Sequence, residues 1–219
     1  MNSPSNPTGR VHSEEELRGA IQWSRSTGGV LVSDECYLEF GKSATPTSIL
    51  NYADGDNRNI LAVHSLSKRS NLAGYRAAFV VGDPALIGRI LEVRKHAGMM
   101  VPLPVQKAMV VALSDKKHVI EQANRYHARR ELLKGALEKS GFKLEFSTSG
   151  LYIWCTRNED CWSTVDWFAQ RGVLVTPGIF YGETGNKYVR IALTATDENI
   201  KLCAEYLVRS EEHTSELQS

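Results

Sequence analysis

Short runs of apolar residues in the first half of the chain predict the strands of one sheet. They occupy positions 30–34, 60–63 and 77–81. Apart from Ser33 and Asp34 at the end of the first run, apolar residues follow one another without alternation, which is typical of a sheet that is covered on both faces. Ser13 and Glu16 form the pattern of a capping box, so a helix is predicted to start there and to continue to Ser24. Because strands alternate with helices, the pattern predicts an α/β fold with a mainly parallel sheet.

The pattern changes in the second half of the chain. A helical pattern extends from residue 84 to residue 137 and is interrupted near Pro102 and Pro104. Short segments of both kinds then follow one another, namely strands at 142–146, 151–155, 173–176 and 188–192, and helices at 161–171 and 197–208. We therefore expect a first domain over residues 1–124 and a smaller α+β domain over residues 125–208.

The end of the chain, residues 209–219, shows no apolar periodicity. Its sequence resembles the in-frame translation of a sequencing-library adapter, although an ordinary polar C-terminus is the alternative. We expect a non-native tail and leave it out of the reasoning about the fold.

Composition narrows the classes of partner. The 219 residues carry a formal net charge of +1, so the sequence predicts no nucleic-acid or acidic-membrane partner. No apolar run approaches the roughly 20 residues that span a bilayer, and the residues after Met1 do not form a signal peptide. The four cysteines fit neither a zinc pattern nor a CxxC motif. We therefore expect reduced thiols, no metal site and a cytoplasmic protein.

The segment from Ser65 to Arg76 is the strongest candidate for chemistry. Lys68 follows a strand end, has serines on both sides and precedes two more cations. Burial and neighbouring cations lower the pKa of a lysine, which favours the neutral form that attacks an aldehyde. Arg76 can bind a phosphate through two hydrogen bonds, and Ser65 and Ser67 can add hydroxyl donors. Taken alone, the Ser-x-Ser-Lys run fits a solvated basic loop equally well.

Two more charged residues stand at informative positions. Asp34 ends the first strand, where α/β sheets place ligands, and its carboxylate can keep a pyridine nitrogen protonated. A turn cap is the alternative role for this residue. Arg190 lies inside an apolar strand, where burial of a cation is costly unless a substrate carboxylate or an internal ion pair neutralises it.

In combination, these elements resemble the class I/II aminotransferases of fold type I, which depend on pyridoxal 5'-phosphate. The resemblance covers residues 1–208 and is carried by the turn that starts at Asn6, by Asp34 with Tyr37, by Ser65, Ser67 and Lys68 with Arg76, and by Arg190. It implies the aspartate-aminotransferase-like fold, with a partial large domain followed by a small domain. It also implies a homodimer that acts on amino acids and 2-oxo acids by a ping-pong mechanism.

The resemblance implies a task for each of these residues at the cofactor ring. Lys68 forms the Schiff base and later moves the proton between the substrate and the cofactor. Asp34 pairs with the pyridinium nitrogen. Tyr37 and Asn6 form hydrogen bonds with the phenolic oxygen of the cofactor.

The same resemblance implies how the phosphate and the substrate are held. Ser65, Ser67 and Arg76 bind the phosphate group of the cofactor. Arg190 binds the α-carboxylate of the substrate with two hydrogen bonds.

At a finer level the chain resembles the succinyldiaminopimelate transaminases of actinobacteria. This resemblance is carried by residues 32–37, 69–76, 93–98 and 159–162. It implies synthesis of N-succinyl-2,6-diaminopimelate from its oxo precursor, with glutamate as the amino donor, on the route to lysine. Composition and spacing do not show this substrate.

Chains of this family begin far upstream of the position that matches Met1. The aromatic residue that stacks on the pyridine ring and the glycine turn that binds the phosphate have no match here. We expect an N-terminally truncated large domain that by itself binds the cofactor weakly or not at all. Two alternatives stay open, namely another fold-type-I reaction such as C–S lysis or decarboxylation, and a non-catalytic aminotransferase-like effector domain.

Overall fold

The computed structural model describes residues 1–41 and 46–216, with side chains up to Val208. Within this range the chain forms two compact units. The first comprises Met1–Pro4 and Val11–Glu121, and the second comprises Ser5–Arg10 and Gln122–Ser219. The sequence places its boundary near residue 125, and the assignment of the two parts to a large and a small domain stays a prediction.

The short segment Ser5–Arg10 belongs to the second unit, which the sequence did not predict. The reason is a set of contacts with a distant turn. The backbone N–H of Ser147 donates to the carbonyl of Thr8 at 2.8 Å, and the hydroxyl of Thr148 donates to the carbonyl of Gly9 at 3.2 Å. Gly9 has a φ of +67°, and a Cβ atom there would lie 2.6 Å from the carbonyl oxygen of Ser149, so this close approach requires glycine.

The first unit is an α/β structure around a three-stranded sheet. Its elements are α1 (Glu14–Thr27), β1 (Leu31–Asp34), β2 (Ile60–Ser65), α2 (Leu66–Arg69), β3 (Ala78–Gly82), α3 (Pro84–Ala97), α4 (Leu103–Ser114) and the first turn of α5 (Lys117–Lys139). The strand order is β1-β2-β3, with β1 parallel to β2 and β3 antiparallel to β2. The described sheet is therefore mixed rather than mainly parallel, because the chain reverses after α2 and pairs β3 directly with β2.

Helix α1 and one face of this sheet form the core of the first unit. The capping box is confirmed, since Ser13 accepts from the N–H of Glu16 and the side chain of Glu16 accepts from the N–H of Ser13. Leu17, Ile21 and Ile60 are among the buried residues that pack together. The prediction of a sheet covered on both faces holds for the start of β2, whose first three residues are all buried, but not for β1. Successive side chains of a strand point to opposite faces, and burial alternates along β1, with Leu31 buried and Val32 exposed.

The second unit is an α+β structure. Its elements are the remainder of α5, β4 (Lys143–Leu144), β5 (Tyr152–Thr156), α6 (Cys161–Ala169), β6 (Thr176–Pro177), β7 (Val189–Ala192) and α7 (Asp197–Glu216). The strands pair in the order β4-β5-β7-β6, and every pair is antiparallel. Leu133, Ile153, Phe168 and Leu207 are fully buried members of the core between this sheet and the helices.

The structure shortens the third strand that the sequence predicts in this unit. The strand predicted at 173–176 is limited to Thr176–Pro177. Gly172 adopts a φ of +71°, and the N–H of Val173 donates to the carbonyl of Phe168 at 3.0 Å, so these residues end α6 instead of extending the sheet. The predicted non-native tail, 209–219, lies outside the described side chains, and only the backbone of α7 is described as far as Glu216.

Of the described helices, none combines the length and the apolar character needed to cross a bilayer. The described side chains contain no group of His, Cys, Asp and Glu that could hold a metal ion.

Candidate active site

The candidate residues of the first unit lie where two parallel strands end side by side. Asp34 is the last residue of β1 and pairs in register with Val63 of β2. Strand β2 ends at Ser65, and Lys68 follows in α2. Because parallel strands end at the same edge of a sheet, their register brings the segments after Asp34 and Ser65 together.

The backbone of Asp34 is fixed on its outer side by the start of the chain. Its N–H donates to the carbonyl of Met1 at 2.9 Å, and its carbonyl accepts from the N–H of Ser3 at 3.1 Å. The side-chain amide of Asn2 donates to the same carbonyl at 3.0 Å. Because hydrogen bonds hold the Asp34 backbone on both sides of the strand end, the position from which its carboxylate extends is fixed.

Cys36 is the neighbour of Asp34 and Lys68 that the sequence did not identify. Its N–H donates to Oδ1 of Asp34 at 3.1 Å. Burial raises the pKa of the half-buried Cys36 thiol to about 12, and the hydrogen bond to Asp34 adds to the effect, while the charge of Lys68 acts in the opposite direction. The carboxylate, the thiol and the lysine amine thus form one electrostatic cluster. The sequence alone shows only that Cys36 lies two residues after Asp34.

We expect Cys36 to be a slow nucleophile. Its thiolate fraction at pH 8 is lower than that of an ordinary thiol, and the higher nucleophilicity of a more basic thiolate recovers only part of the rate. The net effect is alkylation about 30-fold slower than in the unfolded protein. Iodoacetamide labelling followed by peptide mass spectrometry measures this rate. Asp34→Asn removes the neighbouring negative charge and is expected to accelerate the labelling. Equal rates in both proteins would contradict an action of the carboxylate on the thiol.

Lys68 is half-buried and chemically available. It forms no hydrogen bond or ion pair with the residues that the structure describes. Before it, the Ser65 hydroxyl accepts from the N–H of Ser67 at 3.1 Å and donates to the Ser67 hydroxyl at 2.9 Å. Two hydroxyl groups and one amine are therefore presented by a single turn.

Tyr37 and Arg76 complete the predicted set in the first unit. Tyr37 is buried, with 8% of its surface exposed, three residues after the end of β1. Arg76 is exposed in the left-handed region, with a φ of +52°, and its Nη1 donates to the carbonyl of Ala73 at 2.8 Å. No described hydrogen bond joins Arg76 to Ser65 or Ser67.

Arg190 and Asn6 meet within the second unit. Nη1 of Arg190 donates to Oδ1 of Asn6 at 3.0 Å, and Nη2 lies 3.5 Å from the hydroxyl of Thr176. The buried Nε of Arg190 has no hydrogen-bond partner among the described residues. The predicted alternative, an internal ion pair, is not formed by the described carboxylates.

Two tyrosines that the sequence did not identify flank this guanidinium group. Its carbon lies 4.0 Å from the ring centre of Tyr152 and 5.2 Å from that of Tyr181. Trp154 pairs with Arg190 across β5 and β7, so Tyr152 lies diagonally on the same face. Stacking on aromatic rings holds the guanidinium plane without neutralising its charge. The register of the sheet is needed to find this arrangement.

The comparisons with known proteins show the family to which the chain belongs. The family described as aminotransferase class I and II matches residues 1–207. The chain belongs to this family. The predicted aspartate-aminotransferase-like fold is confirmed, since a crystal structure of an aminotransferase from Neisseria meningitidis has a TM-score of 0.88 and 31% identity, over 95% of this chain and 56% of that one.

Two curated relatives are more similar in sequence. The chain is 58% identical to a 4-dedimethylamino-4-oxo-anhydrotetracycline transaminase of Streptomyces rimosus, over 94% of this chain and 58% of the relative. It is 55% identical to a probable aminotransferase of Mycobacterium tuberculosis, over 91% of this chain and 48% of the relative. The chain thus spans about half the length of the relatives that it matches.

Class I and II aminotransferases depend on pyridoxal phosphate, and the first unit has donors of the kind that this cofactor requires. Its aldehyde needs an amine without a competing partner, and the Lys68 amine has no such partner among the described residues. Its pyridinium nitrogen needs a carboxylate, as Asp34 offers. Its phosphate needs hydroxyl and guanidinium donors, as in Ser65 and Arg76. The residues present therefore fit the group.

Proposed function

We propose that the protein is a pyridoxal-phosphate-dependent aminotransferase and that Lys68 is its catalytic lysine. The observation that carries the proposal is the cluster of Asp34, Cys36 and Lys68 at the ends of two adjacent parallel strands. A carboxylate and an amine that has no polar partner among the described residues, both at one sheet edge, are the two groups that this chemistry requires. Residues 1–124 are proposed as part of the large domain and residues 125–208 as the small domain.

Each residue has a defined task in this proposal. When bound, pyridoxal phosphate supplies an electron sink for the bond that breaks at the substrate α-carbon. Asp34 accepts a hydrogen bond from the protonated pyridine nitrogen. Lys68 accepts the proton from the α-carbon as a neutral amine and later returns a proton from the ammonium form that results. Tyr37 and Asn6 donate to the phenolic oxygen.

The remaining groups bind the charged ends of the ligands. Ser65, Ser67 and Arg76 are proposed to hold the phosphate. Arg190 is proposed to bind the α-carboxylate of each substrate, since its guanidinium group has no described carboxylate partner and is oriented by two rings. A bidentate contact fixes the α-carbon as well as the charge.

For the substrate we propose glutamate as the amino donor and the oxo precursor of N-succinyl-2,6-diaminopimelate as the acceptor, in a cytoplasmic homodimer. The support is the resemblance of residues 32–37 and 69–76 to that type of transaminase. A second acceptor class is favoured by the 58% identity to the Streptomyces relative, namely a polycyclic ketone of the 4-oxo-anhydrotetracycline type.

An isotope-transfer assay tests this proposal. The protein encoded by the complete gene is incubated with [15N]glutamate and either acceptor. We expect 15N in the product amine and one 2-oxoglutarate for each amine formed, with the succinylated acceptor preferred. Release of free ammonia or carbon dioxide instead would favour another fold-type-I reaction. Absence of turnover with every amino acid, together with tight ligand binding, would favour an effector domain.

A further inference from the structure

Helix α2 is too short to hold Lys68 in place by itself. It has four residues, and the N–H of Ser70 donates to the carbonyl of Leu66 at 3.1 Å. Isolated helices shorter than about 12 residues are marginal in water, so other contacts must fix both ends. The Ser65 hydroxyl caps the N-terminal end, and fully buried Leu66 anchors it. A separate polar network fixes the C-terminal end.

This network joins Ser70 to His118 and Asp115. Nε2 of His118 lies 3.0 Å from Oγ of Ser70, and Nδ1 lies 2.7 Å from Oδ2 of Asp115. The other oxygen of Asp115 accepts from the N–H of Lys117 at 2.8 Å. The hydrogen bond from His118, together with that from Lys117, lowers the pKa of the Asp115 carboxyl. A carboxylate at Nδ1 makes that atom the donor and leaves Nε2 for the serine hydroxyl.

Arg69 connects the same serine to two other elements. Its Nη1 donates to the hydroxyl of Ser70 at 3.1 Å and to the carbonyl of Ala112 at 2.8 Å. Its Nε forms an ion pair with Glu39 at 2.5 Å, and only 11% of the arginine side chain is exposed. Ala112 lies in the last turn of α4, where carbonyl groups favour a cation. The Ser70 hydroxyl thus accepts from Arg69 and also lies within hydrogen-bond distance of Nε2 of His118, so it is held by two side chains.

The order Asp115, His118, Ser70 also matches the hydrogen-bond sequence of serine hydrolases. A nucleophilic serine needs backbone donors for the oxyanion that it creates. The N–H of Ser70 is already bonded to Leu66, and Arg69 occupies the hydroxyl oxygen. These contacts favour a fixing role over a nucleophilic one.

We propose that Ser70, His118 and Asp115 are positioning residues for Lys68. They tie the C-terminal end of α2 to the first turn of α5 and so keep the lysine amine beside Asp34 and Cys36. The inference rests on the proposed function of Lys68. It adds three residues that touch neither the cofactor nor the substrate in that proposal.

The test measures how fast Lys68 bonds to the cofactor. The protein encoded by the complete gene, first stripped of cofactor, is mixed with pyridoxal phosphate. It is then quenched with borohydride at set times, and the labelled Lys68 peptide is quantified by mass spectrometry. Ser70→Ala is expected to slow labelling about fivefold, which corresponds to one hydrogen bond of about 1 kcal/mol. Ser70→Thr keeps the hydroxyl and is expected to restore the rate.

His118→Phe keeps a ring of similar size without nitrogen atoms and is expected to slow labelling like Ser70→Ala. Ser114→Ala is the matched control, because that hydroxyl donates only to the carbonyl of Val110 on the exposed end of α4. Melting temperatures of all variants are recorded, and slowed labelling at a wild-type melting temperature separates positioning from loss of the fold.

Wild-type labelling rates in both Ser70→Ala and His118→Phe would overturn the inference and leave the proposed function intact. The same holds for a loss in Ser70→Ala that Ser70→Thr does not restore. If either Ser70→Ala or His118→Phe fails to fold, a wild-type labelling rate in the other variant overturns the inference. If the wild-type protein itself does not label Lys68, the proposed function fails, and the inference fails with it.

Discussion

Replacing Lys68 with alanine is expected to lower transamination in the protein encoded by the complete gene by a factor on the order of 10⁴ or more. The substitution removes the amine that would bond to the cofactor and would also move the proton at the α-carbon. Lys68 has no described hydrogen bond or ion pair, so its loss breaks no described polar contact. We therefore expect an unchanged melting temperature together with loss of activity, measured as isotope transfer from glutamate.

The control for this substitution is Lys95→Ala in the same unit. Lys95 pairs with Glu92 on an exposed helix surface at 2.6 Å, and such pairs contribute little to stability. Its substitution is expected to leave both activity and melting temperature unchanged. Added methylamine is expected to restore part of the lost activity in Lys68→Ala, since an external amine can supply the proton transfer. Undiminished turnover in Lys68→Ala would exclude this lysine from the chemistry.

The second large effect is expected at Arg190. Replacing it with glutamine removes the cation but keeps a polar, although shorter, side chain. Removal of one partner from a buried charge pair costs about 2–5 kcal/mol, so KM for the amino acid and for the 2-oxo acid should both rise at least about 30-fold. Arg190→Lys is expected to recover only part of this, because an ammonium group cannot form the bidentate contact.

Arg125→Gln is the matched control for Arg190. Arg125 lies on the exposed surface of α5 in the same unit, and it forms no described hydrogen bond or ion pair. Its substitution is expected to leave KM unchanged. Steady-state kinetics with each substrate varied in turn measure the effect. A fall in kcat at constant KM for Arg190→Gln would assign this residue a role other than carboxylate binding.

Much of the fold follows from local patterns that the sequence displays. The capping box at Ser13, the three apolar runs of the first unit and the helix breaks near Pro102 correspond to observed elements. A predicted strand was wrong where two local sequence signals favoured different structures. Val173 is apolar and suits a strand, but Gly172 adopts a left-handed conformation before it and ends α6 instead. The direction of β3 was likewise open, because an apolar run does not encode which way a strand pairs.

The candidate site shows the same division between local and distant information. Lys68, Asp34 and Arg190 were found because their residue types are unusual at their positions along the chain. The electrostatic effect of Lys68 on Cys36 was not found, since it depends on the parallel register of β1 and β2. Tyr152 and Tyr181 were not found because their stacking on Arg190 depends on the antiparallel pairing of β5, β7 and β6.

The sequence by itself determined which residues carry charge and hydroxyl groups, where helices start, and the order of the motifs that place the chain in its family. These features depend on neighbours within a few positions, so they can be read along the chain. The tertiary structure alone decided that Ser70 meets His118, 48 positions away, and that Ser5–Arg10 joins the second unit. Such contacts depend on strand register and on the packing of whole helices, which are properties of the folded chain rather than of any short segment.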